Sequence, residues 1–382
     1  MNQIPSFDSH PRTRLVFGAD SLDQIGHLTR ELQGKRVLLV TDHGVSAAGH
    51  PARAAESLKA AGLDVVIFDA VRENPTTLDV ALCVEVARHA QIDSIIGLGG
   101  GSSIDTAKAT NFILTNGGEI KDYWGVGKAK YPMLPLIAVP TTAGTGSECQ
   151  SFALISDEST HQKMACGDPK AAAKIAILDP LLTFSQPLQV SACTGIDAIA
   201  HAVETAVTKP RNPISALYSR EAFRLCFSSL ESVLLDPYDL TARSSMQIGA
   251  AFAGTAIENS MLGAAHAAAN PLTATLGMIH GKAVGLMLPR IVDFNSRDPA
   301  AHNLYLELAQ LAGLEDVNHL ISELEILFDV LGLTKDLARF HPHPDLLPKL
   351  AADAAKQWTA SFNPRPITAP DFEILYASAF GL

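Results

Sequence analysis

Apolar and polar positions in the first half of the chain change period in a regular alternation. Residues 35–42 (KRVLLVTD) form a near-continuous apolar run ending in an acid, the signature of a strand covered on both faces. Residues 51–61 follow with helical spacing closed by Gly62, then 64–68 as a strand, 78–90 as a helix and 94–98 as a strand. Ahead of these, residues 13–17 predict a short strand that turns through Gly18-Ala19-Asp20 into a helix over 22–32. Residues 104–114 are helical in pattern, and 135–139, 152–155 and 174–178 read as further strands before Asp179-Pro180 breaks the pattern. Apolar strands alternating with helices predict a mostly parallel sheet with helices on both faces. Past Pro187 the strand-like runs stop. The Ala- and Leu-rich stretches 191–208, 216–234, 241–257 and 303–311 predict an all-helical second half. The boundary lies near 186–189, giving an α/β domain over 1–187 and a helical domain over 188–382.

Composition narrows the class. With 382 residues, 47% hydrophobic and 18% charged, the chain can bury two cores and is not a disordered polymer. A formal net charge of -11 and the lack of a Lys/Arg run argue against a nucleic-acid partner. No apolar run is long enough to cross a bilayer, and the opening MNQIPSFDSHPRTR lacks the order of a secretory signal, so no membrane partner is expected. Cys83, Cys149, Cys166, Cys193 and Cys226 are odd in number, scattered and without a CxxC pair. They suit free thiols in a reducing cytoplasm.

Candidate chemistry in the α/β half sits where ligands of parallel sheets bind, at the carboxyl ends of strands. Gly99-Gly100-Gly101-Ser102-Ser103 lies between a strand and a helix, where backbone N–H groups and the helix dipole favour a diphosphate. By itself the run is also a tight turn, since it is not the full dinucleotide fingerprint and follows the third strand. No Lys-Ser or Lys-Thr completes a P-loop, which disfavours a hydrolysed nucleotide. Asp42 ends a strand and could accept hydrogen bonds from a ribose diol; its charge would repel the extra phosphate of NADP and so predicts NAD. The alternative for an acid there is a cap. A second loop, Pro140-Thr141-Thr142-Ala143-Gly144-Thr145-Gly146-Ser147-Glu148, alternates hydroxyls and glycines after the strand at 135–139.

The helical half carries a different chemistry. Asp197 and His201 stand one helical turn apart, with side chains on one face. His266 and His280 fall in two further apolar stretches rich in small residues. A lone histidine in such a helix is ordinarily a core residue, and an Asp-x-x-x-His pair is an ordinary helix pair. Four such groups in three apolar segments are another matter, because burying them without a shared partner is costly. One carboxylate and three imidazoles suit a divalent first-row metal with positions left open for a substrate oxygen.

Taken together the motifs resemble those of the iron-containing (group III) alcohol dehydrogenases, within the dehydroquinate synthase-like superfamily that includes glycerol dehydrogenases. The carriers are GGGSSIDTAK at 99–108, VPTTAGTGSE at 139–148, GIDAIAHAVE at 195–204 and the histidines of LGAAHAAANP and GMIHG. The likeness extends from Phe17-Gly18 to Asn363-Pro364-Arg365. It implies a dinucleotide-binding α/β domain, a helical domain and a cleft between them holding NAD(P) and a divalent metal. Carried over by position, Asp197, His201, His266 and His280 are the metal ligands, for Fe(II) or in some relatives Zn(II). Gly100, Gly101 and Ser102 hold the diphosphate. Thr141, Thr142 and Thr145 line the adenosine and diphosphate side, with Asn74, Phe152, Lys163 and Leu182 as weaker matches, and Asp42 stands where NAD is told from NADP. The family also implies a homo-oligomer, commonly a dimer, for which the strand near Leu15 and Phe17 is a candidate edge.

One departure stands out. Many members read His-x-x-x-His-Pro at the third ligand, the second His being a candidate proton relay, whereas this chain reads His266-Ala-Ala-Ala-Asn270-Pro271. Asn does not exchange a proton near neutral pH, which points either to a relay through water and the ribose hydroxyls or to a different preferred substrate. Phe252, Asn259, Met261, Leu262 and Asn270 are the expected substrate pocket. The expected activity is an NAD-linked, metal-dependent alcohol dehydrogenase or aldehyde reductase acting on a small molecule. Glycerol-dehydrogenase-like polyol oxidation is one alternative. A dehydroquinate-synthase-like lyase is another, for which Lys209, Arg211, Lys282 and Arg290 are too few and too scattered to bind a phosphorylated, carboxylated substrate. The third is a sensor that binds NAD or metal without turnover.

Overall fold

The computed structural model describes residues 6–160 and 162–382. The first five residues of the stretch read for a secretory signal lie outside the described residues. The described residues form two compact units: His10–Gln186, and Pro187–Leu382 with residues 6–9. The tail joins the helical unit, where Ser9 Oγ donates to Asn259 Oδ1, whereas the sequence division had placed it with the α/β part.

In the α/β unit the elements run β1 (Arg14–Phe17), a 3-10 turn (Ser21–Gln24), α1 (Ile25–Glu31), β2 (Arg36–Asp42), α2 (His43–Ala47), α3 (His50–Ala60), β3 (Asp64–Val71), α4 (Thr77–Ala90), β4 (Ser94–Gly99) and α5 (Gly101–Asn116). They continue with β5 (Gly125–Val126), β6 (Leu136–Pro140), β7 (Phe152–Ser156), β8 (Lys163–Gly167) and β9 (Ile175–Leu178). The main sheet is parallel with order β1-β9-β6-β4-β2-β3. Strand periodicity divides its apolar side chains between two cores. Val37, Leu39, Ile96, Leu98, Ile137 and Val139 face one way, against Leu22, Ile25 and Leu28 of the first turn and helix and Ala54 and Leu58 of α3. Leu38, Val40, Ile95, Leu136 and Ala138 face the other, against Cys83 and Ala87 of α4 and Ile104 and Ala107 of α5. Burial on both faces is why these strands read as unbroken apolar runs.

Two features differ from the sequence reading. The helix expected over 22–32 opens as a 3-10 turn and becomes α-helical at Ile25. A second sheet, β5-β8-β7, was not foreseen, because β8 is KMACG, a five-residue strand whose Lys and Gly mask its alternation.

The helical unit comprises α6 (Leu188–Thr205), α7 (Pro213–Leu235), α8 (Leu240–Asn259), α9 (Ala264–Leu276), α10 (His280–Ser296), α11 (Pro299–Leu311), α12 (Val317–Val330), α13 (Leu347–Ala355) and α14 (Ala369–Phe380). Asn212, Asp239 and Asp298 cap α7, α8 and α11 by accepting from first-turn N–H groups. Pro271 and Pro289 lie inside α9 and α10, where each removes a backbone donor. Gly281 sets how closely α10 approaches α6: a Cβ there would stand 2.0 Å from the Cys193 carbonyl oxygen. That glycine brings the first residue of α10, His280, up to α6.

Candidate metal centre and dinucleotide loops

Three helices bring the expected metal ligands together. α6 presents Asp197 and His201 one turn apart, α9 presents His266 from its first turn, and α10 begins with His280. One carboxylate oxygen is the focus: Asp197 Oδ1 lies 3.2 Å from His266 Nε2, 3.5 Å from His201 Nε2 and 3.9 Å from His280 Nε2. Donor atoms of Asp197, His201 and His266 all fall within 4.8 Å of one another. The His201 and His266 rings stack at 4.7 Å, with His280 5.5 Å from His266. Asp197, His201 and His266 are buried, and the His280 side chain is 27% exposed, so the cluster opens on its His280 side.

Glu204, which the sequence reading did not single out, organises His266. It lies one turn beyond His201 on the same face of α6 and is 3% exposed. Its Oε1 accepts from the backbone N–H of Ala265 at 2.7 Å and of His266 at 3.4 Å, holding the start of α9. Its Oε2 accepts from His266 Nδ1. With Nδ1 committed as donor, Nε2 is turned toward Asp197, the arrangement by which a carboxylate orients a metal-ligating imidazole. The signal for it was present in GIDAIAHAVE as a third polar residue on the Asp197 and His201 stripe.

The electrostatics agree. Burial pushes the Asp197 carboxyl up, but the imidazoles of His201, His266 and His280 more than offset this and hold it well below the usual carboxylate range. Burial opposes charge on His266, and the carboxylates of Glu204 and Asp197 raise its pKa nonetheless. Two carboxylates facing convergent imidazoles form a place prepared for positive charge. One carboxylate oxygen and two imidazole nitrogens in mutual reach, with His280 Nε2 3.9 Å from that oxygen, fit a divalent first-row cation by donor type.

The residues expected to hold a dinucleotide meet at the carboxyl edge of the main sheet. Gly100 is the N-cap of α5, and Gly101 and Ser102 open the helix. A Cβ on Gly101 would come 2.9 Å from Thr145 Cγ2, so only glycine permits this contact. Thr142 Cγ2 lies 3.5 Å from the corresponding point on Gly100, and Thr141 N–H donates to the Gly99 carbonyl. The adjacent strand end supplies Asp42. Its Oδ1 caps α2 through the Val45 N–H at 3.0 Å and its Oδ2 accepts from Ser103 Oγ at 3.3 Å. The cap alternative therefore describes one of its oxygens, while its position beside the glycine run is the one the dinucleotide reading requires.

The weaker matches stand on other elements. Phe152 begins β7 with its ring over Gly167, and Lys163 begins β8, paired with Ser156 at the far end of that hairpin. Asn74 is exposed with a left-handed φ of 53° in the loop before α4. Leu182 is 1% exposed in the apolar core beneath the sheet, which leaves its side chain almost no surface for a cofactor. Among the expected pocket residues, Phe252 packs edge-on against Tyr218 at 5.3 Å, Asn259 is engaged by Ser9, and Met261 and Leu262 are half-buried between α8 and α9. Asn270, one turn beyond His266 on α9, donates through Nδ2 to Gln357 Oε1 at 3.1 Å.

Comparison with known proteins gives this geometry its context. The model of the iron-containing alcohol dehydrogenases matches residues 11–180, and that of the family's C-terminal domain matches 191–380. The NAD-dependent methanol dehydrogenase of Bacillus methanolicus is 31% identical over 373 residues, covering 95% of this chain and 97% of that protein. The 1,3-propanediol dehydrogenase of Klebsiella pneumoniae is 31% identical, covering 95% and 96%. Among solved structures, a 1,3-propanediol oxidoreductase superposes with a TM-score of 0.93 at 30% identity, covering 98% of this chain and 100% of that one. A sulfoacetaldehyde reductase from Bifidobacterium kashiwanohense in complex with NAD+ superposes with a TM-score of 0.90 at 26% identity, covering 98% and 99%. The chain belongs to the iron-containing alcohol dehydrogenase family, and it is an oxidoreductase of that family.

Proposed function

We propose that this enzyme interconverts a small alcohol and its aldehyde by hydride exchange with NAD, with Asp197, His201, His266 and His280 holding the metal. The observation that carries the reading is the convergence of the three Nε2 atoms on Asp197 Oδ1. When bound there, the metal supplies Lewis acidity toward the substrate oxygen. The chain's own part is to keep the ligands aimed. Glu204 fixes the ring of His266, and Asp197 as the one anionic donor among imidazoles would leave the ion's own ligand set net positive, which favours negative charge on a substrate oxygen. In the α/β unit, the start of α5 at Gly100, Gly101 and Ser102 would receive the diphosphate, with Thr141, Thr142 and Thr145 beside it. Asp42 would meet the ribose diol and disfavour NADP.

Asn270 takes the place of a titrating relay. Its amide donates to Gln357 and cannot exchange a proton near neutral pH, so this side chain does not itself transfer the alcohol proton, which would leave through water and the ribose hydroxyls. The lyase alternative lacks its cationic cluster. Lys209 Nζ donates to the Ser361 carbonyl, Lys282 Nζ to the Lys335 carbonyl, and Arg290 pairs with Glu325. Among the described residues no helix is long and apolar enough to cross a membrane, and all five cysteines are buried and outside any disulfide. These observations support our assignment to the cytoplasm, and the short edge strand β1, with Leu15 and Phe17 exposed, supports a homodimer.

The test is absorbance of reduced nicotinamide with a panel of small alcohols and aldehydes, using iron-loaded and chelated enzyme. Net NADH turnover that needs the metal is expected. Product without net NADH change would indicate a lyase, and binding without turnover a sensor.

A further inference from the structure

Lys108 is 0% exposed in the middle of α5, a place where an ammonium is costly unless fully hydrogen-bonded. Its Nζ donates to the Ser147 carbonyl at 2.6 Å, to Ser147 Oγ at 2.9 Å and to the Phe152 carbonyl at 2.9 Å. Asp105, one turn earlier on α5, lies 3.9 Å from that Nζ and faces the same segments: Oδ1 accepts from Ser147 Oγ at 2.5 Å and Oδ2 from the Leu154 N–H at 3.1 Å. The pair thus grips two stretches far away in sequence, the loop through Ser147 and the first residues of β7. Thr145 is tied into the same loop, its Oγ1 accepting from the Ser147 N–H at 3.3 Å and its carbonyl from Gln150 Nε2 at 2.8 Å. The other side of Thr145 rests on Gly101, one turn before Asp105 on the same helix.

We propose that Lys108, with Asp105, is a positioning residue for the dinucleotide, fastening the Thr145 loop and the Phe152 end of β7 onto the helix whose first turn receives the diphosphate. It rests on the NAD reading given above. An apolar side chain of equal length would fill the space but could not draw two backbone carbonyls to one point. The charge therefore sets the register of the loop, a role buried ion pairs can serve.

The experiment measures NADH affinity by fluorescence, steady-state kinetics and thermal unfolding for the full-length enzyme, Lys108→Met and Ser147→Ala. We expect Lys108→Met to weaken NADH binding by roughly tenfold or more, equivalent to about 1.4 kcal/mol. KM for NAD should rise in parallel while kcat at saturating NAD stays within about twofold and metal content is unchanged. A merely structural role would lower the melting temperature and the active fraction without moving the NADH dissociation constant. A folded Lys108→Met enzyme with wild-type affinity overturns the proposal. Should that variant not fold, Ser147→Ala decides: weakened binding supports the proposal and unchanged binding overturns it. Absence of NADH binding by the unaltered enzyme sinks the NAD reading itself, a failure distinct from normal binding by enzyme and variant alike.

Discussion

His266 serves two partners through its two ring nitrogens: Nδ1 donates to Glu204, and Nε2 faces Asp197. Replacing Glu204 by Gln keeps an acceptor for the Ala265 N–H but removes the charge and allows the amide to offer a donor to the ring. Metal affinity, measured by competition with a chromophoric chelator, is expected to fall about 10- to 100-fold with the fold intact. Unchanged affinity would show that Glu204 only caps α9. Asn270 makes a complementary prediction. Asn270→His introduces a titrating group one turn from His266, so the pH dependence of kcat should gain an ionisation near 6.5, the ordinary histidine value. An unaltered pH–rate profile would deny this position any part in proton transfer.

At the scale of elements, the close packing of α10 on α6 through Gly281 sets the position of His280. Gly281→Ala would drive a methyl into the Cys193 carbonyl, at an expected loss of about 1–3 kcal/mol in denaturant unfolding, with a drop in bound metal because His280 is the adjacent residue. Retained metal stoichiometry and stability would show that the two helices can part without disturbing the ligands. The loop after β6 carries a pH dependence of its own. Burial pushes Glu148 up to about 7, with Asp105 adding to the shift while Lys108 and the residue's own N–H oppose it. Between its ordinary value and about 7 the folded protein keeps a proton that the unfolded chain has released, so this group's contribution to stability falls as pH rises through that window. Urea unfolding at pH 5 and pH 8 should show the difference, and Glu148→Gln should flatten it. A slope unaffected by that substitution would assign the effect to other groups.

At the scale of the molecule, a bound cation would join α6, α9 and α10, elements that belong to one compact unit and meet around Asp197. A ligand bound only by the folded state stabilises by about 2.7 kcal/mol at one hundred times its dissociation constant. Chelation should therefore lower the melting temperature of the helical unit by roughly 5–10 °C, recoverable on adding Fe(II), as followed by calorimetry. A transition indifferent to chelator would mean that the four proposed ligands do not share an ion. The net charge of -11 belongs to the same scale, since it bears on solubility and partners and not on the fold.

Much of this was legible before any coordinates. Unbroken apolar runs at β2, β4 and β6 announced strands covered on both faces, because period-2 side chains that all avoid water need apolar partners on each side. Asp197 and His201 announced a shared face, because helical spacing is local geometry. What sequence could not assign was every relation fixed by long-range packing: that Glu204 turns His266, that Gly281 admits His280 to the cluster, that Leu182 is core, and that Lys108 reaches Ser147 and Phe152. Local periodicity tells a residue which way it faces along its own element. Which side chain waits there depends on how distant elements pack, and only the tertiary structure decided that.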